Sequence, residues 1–129
     1  MMKGWLDFSR TRLSVNRSIT SYDKVRKLIS RVLRNSRLNF MGSRWRQIKC
    51  RQYLDVGCGA NVHGHCINLD YDWQPGVDVC WDVTRGIPIG SGTMRGVFSE
   101  HCIEHLPFER MDFVLSEFRR VLVQCFIEF

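Results

Sequence analysis

The chain of 129 residues has room for one domain with a modest core, not two. With 44% hydrophobic and 12% aromatic residues it reads as globular rather than disordered, and no apolar run nears the ~18 residues of a membrane span. The net charge of +6 hides an asymmetry: residues 1–50 hold thirteen Lys/Arg against Asp7 and Asp23, while residues 51–129 hold six Arg against eleven acids.

That asymmetry divides the chain into a basic N-terminal arm, residues 1–48, and a mildly acidic domain, residues 49–129. The opening MMKGWLDFSRTRLSVNRS lacks a continuous apolar segment followed by a small-residue cleavage site, which argues against secretion and for a cytoplasmic chain. The six cysteines (50, 58, 66, 80, 102, 125) are then expected to be buried, reduced thiols rather than disulfides.

Residues 1–19 have no clean period and are expected to be loosely ordered. A helix is predicted over about 20–36. Thr20 and Asp23 have capping-box spacing, and Tyr22, Val25, Leu28, Ile29, Val32 and Leu33 recur every three or four residues. The expected arrangement packs this apolar stripe on the domain and leaves Lys24, Lys27, Arg31 and Arg34 in solvent. The same helix could instead lie on nucleic acid or anionic lipid.

After residue 50 the pattern shifts to short strands bounded by glycine. They are QYLDV (52–56), CINLD (66–70), VDVCWD (77–82) and RGVFS (95–99). A second helix is predicted after EHCIEHLP, with Pro107 in its first turn and Met111, Val114, Leu115, Phe118, Val121 and Leu122 on one face. Strands of this kind imply a parallel α/β sheet. Only nine residues, Gly57 to His65, join the first two strands, too few for a helical crossover, so a compact variant of the doubly wound plan is expected.

The chemistry-bearing residues fall at the carboxyl ends of those strands. Asp55-x-Gly57-x-Gly59 lets the chain turn sharply with no Cβ in the way, although Val62 spoils the G-x-G-x-x-G dinucleotide pattern. Asp70 ends the second strand, Asp82 the third, and Phe98-Ser99-Glu100-His101 the fourth. Polar residues at four consecutive strand ends are the layout of an α/β ligand crevice. Cys58, His63, His65 and Cys66, with His101, Cys102 and His105 nearby, could suggest zinc, but their spacing matches no usual ligand pairs and no metal is expected.

The run from YLDVGCGANVHGHCINLDYDW through FSEHCIEHLPFERMDFVLSEFRRVL resembles the class I S-adenosylmethionine-dependent methyltransferases, closest to the small type-11-like bacterial proteins. The resemblance covers about residues 50–123 and rests on five motifs in order; the short link before INLD and the basic RLNFMGSRWRQ region are similar too. It implies a Rossmann-like, doubly wound, mostly parallel sheet with an N-terminal helical arm. It also implies that Asp55, Gly57, Cys58 and Gly59 hold the methionine part of S-adenosylmethionine, and that Asp70 binds the ribose hydroxyls. By the same resemblance Asp82 and the Val83 backbone meet the adenine, and Ser99 to His101 close the pocket beside the sulfonium. The methyl acceptor would be a small molecule or glycan. A base would be needed only for an acceptor that loses a proton, with His101 and His105 as candidates.

The resemblance departs from the family pattern after FRRVL. VQCFIEF stands where a Lys-Pro-Gly-Gly turn and further strands would follow. The expectation is an incomplete, truncated domain with an exposed sheet edge through which copies could associate. From a different class comes the alternative function, a non-catalytic basic module that binds nucleic acid or anionic membrane through residues 1–50.

Overall fold

The computed structural model describes residues 21–124. The segment 1–19, the Thr20 cap and the CFIEF stretch at 125–129 lie outside the described residues. Helix α1 spans Ser21–Arg34 and α2 Ser43–Ile48, followed by strands β1 (Tyr53–Val56), β2 (Cys66–Asp70), β3 (Val79–Cys80) and β4 (Gly96–Phe98), then α3 (Met111–Val121). All strand pairs are parallel, in the order β3-β2-β1-β4. This is an α/β fold. The chain runs outward from β1 through β2 to β3, then returns to the far side of β1 for β4. The strand order therefore reverses beside β1, where α/β sheets open a crevice at their carboxyl ends.

Residues 57–65 carry no helix, as the short link requires. This divides the sheet into unlike faces. Leu54, Val56, Ile67, Leu69 and Val79 point to one side and join Val114 and Val121 of α3, Ile48 of α2, and Ile87, Ile89 and Met94 in one apolar core. The alternate positions Asp55 and Asn68 point to the other side and are equally buried, at 2% and 3% exposure. No helix of the link between β1 and β2 supplies apolar cover there, so polar groups satisfy one another. Asp78 accepts from the Asn68 backbone N–H (2.9 Å) and side-chain amide (3.0 Å), and pairs with Arg44 and Arg51. No buried side-chain polar atom lacks a partner among the described residues.

The third strand is shorter than the 77–82 expected. Asn39 occupies the outer edge of β3, its side-chain oxygen accepting from the Cys80 N–H (3.0 Å) and its amide donating to the Cys80 carbonyl (3.0 Å). A side chain thus takes the place of a neighbouring strand. Pro107 does not open α3; it precedes a 3-10 turn at Phe108–Arg110, and the helix begins at Met111.

The packing of α1 reverses the expectation. Of its six stripe residues, Tyr22, Val25, Leu28 and Val32 are exposed, Ile29 and Leu33 are half-buried, and the only fully buried residue of the helix is Ser30. Ser30 Oγ accepts from the Trp73 N–H (2.8 Å), and Arg34 Nη1 donates to the Tyr71 carbonyl (2.6 Å) while its guanidinium lies 3.8 Å from the Tyr71 ring centre. The loop after β2 offers polar groups that needed partners, and the polar side of the helix meets them.

Candidate functional site

The turn after β1 is held by the end of β2. Gly57 and Cys58 donate their N–H groups to the Leu69 carbonyl (2.8 and 3.3 Å), and Gly59 donates to Asp70 Oδ2 (2.8 Å). Asp70 Oδ1 accepts from the Asp72 N–H (2.8 Å). All three amides are thus bonded to the end of β2 rather than presented to a ligand. Gly57 has a φ of +78°, and its missing Cβ leaves room for Cys102, which packs directly against it. Gly59, at φ +54°, faces open space.

Two cavities meet across this turn. The larger, about 500 Å³, runs from Gly57 and Asp70 past Trp81, Asp82 and Val83 to His101 and Cys102. The smaller, about 310 Å³, lies over Gly57 to Asn61 and is bounded by Asp55, His63, Asp70, Phe98, Glu100 and His101. Gly57, Asp70 and His101 border both. Among the described residues no Lys or Arg lines either cavity, whereas Asp55, Asp70, Asp82 and Glu100 do. The combined space is rich in acceptors and negative in sign.

The expected site residues come together in part. Asp70, Asp82, Val83 and His101 line the larger cavity; Asp55, Gly57, Cys58, Gly59 and His101 line the smaller. Asp82 lies two residues beyond β3 and caps the 3-10 turn Val83–Arg85, with Oδ1 accepting from the Thr84 N–H (3.0 Å) and hydroxyl (2.7 Å). Ser99 borders neither cavity. Its hydroxyl donates to the Val56 carbonyl (3.0 Å) and ties the ends of β4 and β1 together. Asp55 is committed to His63, whose Nδ1 lies 2.7 Å from Oδ2. His101 has a left-handed backbone at φ +54° and stands exposed between Glu100 (3.7 Å) and Glu104 (3.5 Å).

Sequence reasoning missed three members. Trp81 forms an apolar wall, with its Nε1 donating to the Gly86 carbonyl (2.7 Å). Cys102 fills the space over Gly57. His63 was weighed only as a metal ligand, although its distance of eight residues from Asp55, across a link with no helix, was a signal that the two could meet. The aromatic rings of Tyr53 and Phe98 sit edge-on to His65 and His63, 5.9 and 5.8 Å between centres.

The cysteines are free thiols among the described residues. Burial, then the nearby Asp70, Asp55 and Asp78, push the Cys58 thiol up to about 12; burial pushes Cys80 to about 11. Both stay protonated near neutral pH, which removes them as nucleophiles. Cys50 departs from the expected burial and is exposed. No group of three or more His, Cys, Asp or Glu side chains able to hold a metal occurs among the described residues. No helix among them is long and apolar enough to cross a membrane. Comparison with protein-family models, with curated proteins and with solved structures finds no match to the chain.

Proposed function

We propose that the chain is a Rossmann-like, class I S-adenosylmethionine-binding domain of a methyltransferase, acting on a small-molecule or glycan acceptor. The observation that carries this is the pair of cavities at the strand-order reversal that share Gly57, Asp70 and His101, lined by carboxylates with no Lys or Arg among the described residues. Phosphate ligands are disfavoured on both counts, the negative lining and the internally bonded amides of the turn. A ligand that presents hydroxyls, an amino group and a positive centre suits the same lining. S-adenosylmethionine presents all three.

The residues fit that group. Trp81 and Val83 give apolar surface for a purine, and the second oxygen of Asp82 is open to its amino group, since Thr84 bonds only Oδ1. Each Asp70 oxygen accepts one backbone N–H and keeps a further lone pair for a ribose hydroxyl. The amino-acid end would lie over Gly57 to Gly59 in the smaller cavity, near Asp55 and Glu100. When bound, the cofactor supplies an electrophilic methyl group on a sulfonium. The protein's own contribution is proximity and orientation for an in-line displacement. His63, oriented by Asp55, and His101 are the basic side chains at the smaller cavity for an acceptor that must lose a proton.

Calorimetric titration tests this directly, with S-adenosylmethionine, its demethylated product, and ATP as the anionic control. Both sulfur compounds should release or absorb heat with wild type, Asp70→Ala should bind them at least about tenfold more weakly, and ATP should not bind. No heat from either sulfur compound with folded wild-type protein would sink the proposal.

A further inference from the structure

We infer that the outward stripe of α1 is a docking face for an anionic lipid surface. Tyr22, Val25, Leu28 and Val32 are 59%, 55%, 60% and 48% exposed and, at helical spacing, form one continuous apolar strip. A single exposed apolar residue needs no explanation, but four in register on one helix do. The helix is not waiting to turn this strip inward. Its opposite side is fastened by Ser30 to Trp73, by Arg34 to Tyr71 and Asp72, and by Arg85 to the Arg34 carbonyl (3.3 Å). Docked this way, α1 holds the strip away from the sheet.

Charge selects the occupant. Lys24, Lys27 and Arg31 run along one flank of the strip, all exposed, and none forms an ion pair among the described residues. The acid of this helix, Asp23, is half-buried and lies at helical spacing with Arg26 and Ser30 on the docked side. A second copy pressed strip to strip would gather these cations into one cluster with no counter-charge. Nucleic acid would use the cations and leave the apolar strip in water. An anionic bilayer uses both: the strip enters the headgroup boundary while the long cationic side chains reach the phosphates. The strip is one face of a helix bonded to Tyr71, a residue that lines the larger cavity, so lipid contact would bring that cavity near the surface.

The test is co-sedimentation of the full chain with vesicles of pure phosphatidylcholine and of phosphatidylcholine mixed with phosphatidylglycerol. Wild type should pellet with the mixed vesicles and stay in solution with the neutral ones. Leu28→Glu with Val32→Glu, and separately Lys24→Glu, Lys27→Glu and Arg31→Glu together, should each lower the partition at least about tenfold. All five positions are exposed, so the far-ultraviolet circular dichroism should not change. Equal binding to both vesicle types, or no binding to either, overturns the inference. So does sedimentation equilibrium showing a dimer that Leu28→Glu dissociates, or RNA binding that the apolar pair of substitutions leaves intact. A loss of fold in one variant set leaves the other set and the wild-type lipid comparison to decide.

Discussion

At Gly57 an added Cβ would lie 2.4 Å from the Cys102 Cβ, and the backbone already has a φ of +78°. Gly57→Ala is therefore expected to cost about 2 kcal/mol or more, through both the contact and the conformation. Adding Cys102→Gly should recover the steric share alone, which a double-mutant comparison of urea midpoints would show as coupling. Such coupling would establish that this glycine serves the protein's own packing as well as any ligand. A few residues away, Cys58 sits among three carboxylates that add to the effect of burial. Timed maleimide labelling read by mass spectrometry should modify Cys50 rapidly in the native chain, and Cys58, Cys66 and Cys80 only after unfolding. Rapid native labelling of Cys58 would contradict the buried position of the turn.

Among the elements, α3 carries the clearest pH signature. Glu117 lies near its last turn, accepting from Arg120 Nε (2.6 Å) and Nη2 (2.8 Å) and from the Ile87 N–H (2.8 Å), while Arg120 donates onward to the Ile87 and Ile89 carbonyls. Arg120 and the Ile87 amide hold the Glu117 carboxyl below its ordinary 4.5, although its burial opposes them. A depressed carboxyl stabilises the fold above its unfolded value and loses that contribution as pH falls through the folded value. Glu117→Gln should thus lower stability by about 1–3 kcal/mol at pH 7, with a gap to wild type that closes as the pH drops below 4.5. Urea unfolding at neutral and acidic pH would measure it; a gap that stays constant across that range would contradict the charged pairing. At the other end of the chain, Ser30 does for α1 what Glu117 does for α3. Ser30→Ala leaves the half-buried Trp73 without the acceptor of its N–H, an expected loss of about 1–2 kcal/mol from one hydroxyl.

For the whole molecule, the parallel sheet was legible in the sequence because glycine-bounded apolar runs and a nine-residue link allow few other arrangements. The positions of Asp70 and Asp82 at the carboxyl edge followed from the same pattern. What a periodicity cannot reveal is which side of an element meets the domain. The stripe of α1 has the ordinary core spacing, yet only its Ile29 and Leu33 edge is half-buried, because the loop at Tyr71 to Trp73 presents carbonyl and amide groups that Arg34 and Ser30 satisfy. The roles of Asp55 and Asn68 were hidden for a related reason. Alternation in LDV and NLD marked one apolar face, but not that the other face would be buried too. That second face makes Asp78 the residue on which the polar half of the fold depends. Its side chain is fully buried and joins the Asn68 backbone and amide to Arg44 of α2 and to Arg51 just before β1. Asp78→Ala would strand the Asn68 backbone N–H, while the Asn68 side-chain amide keeps the His63 and Cys66 carbonyls, and would leave two guanidiniums without their carboxylate, so the expected cost is about 2–4 kcal/mol. A core substitution such as Val79→Ala should cost less, about 1–3 kcal/mol, because it removes only apolar contact. If the urea midpoints rank the other way, the polar face contributes less to cohesion than its burial implies, and the apolar side alone holds the sheet.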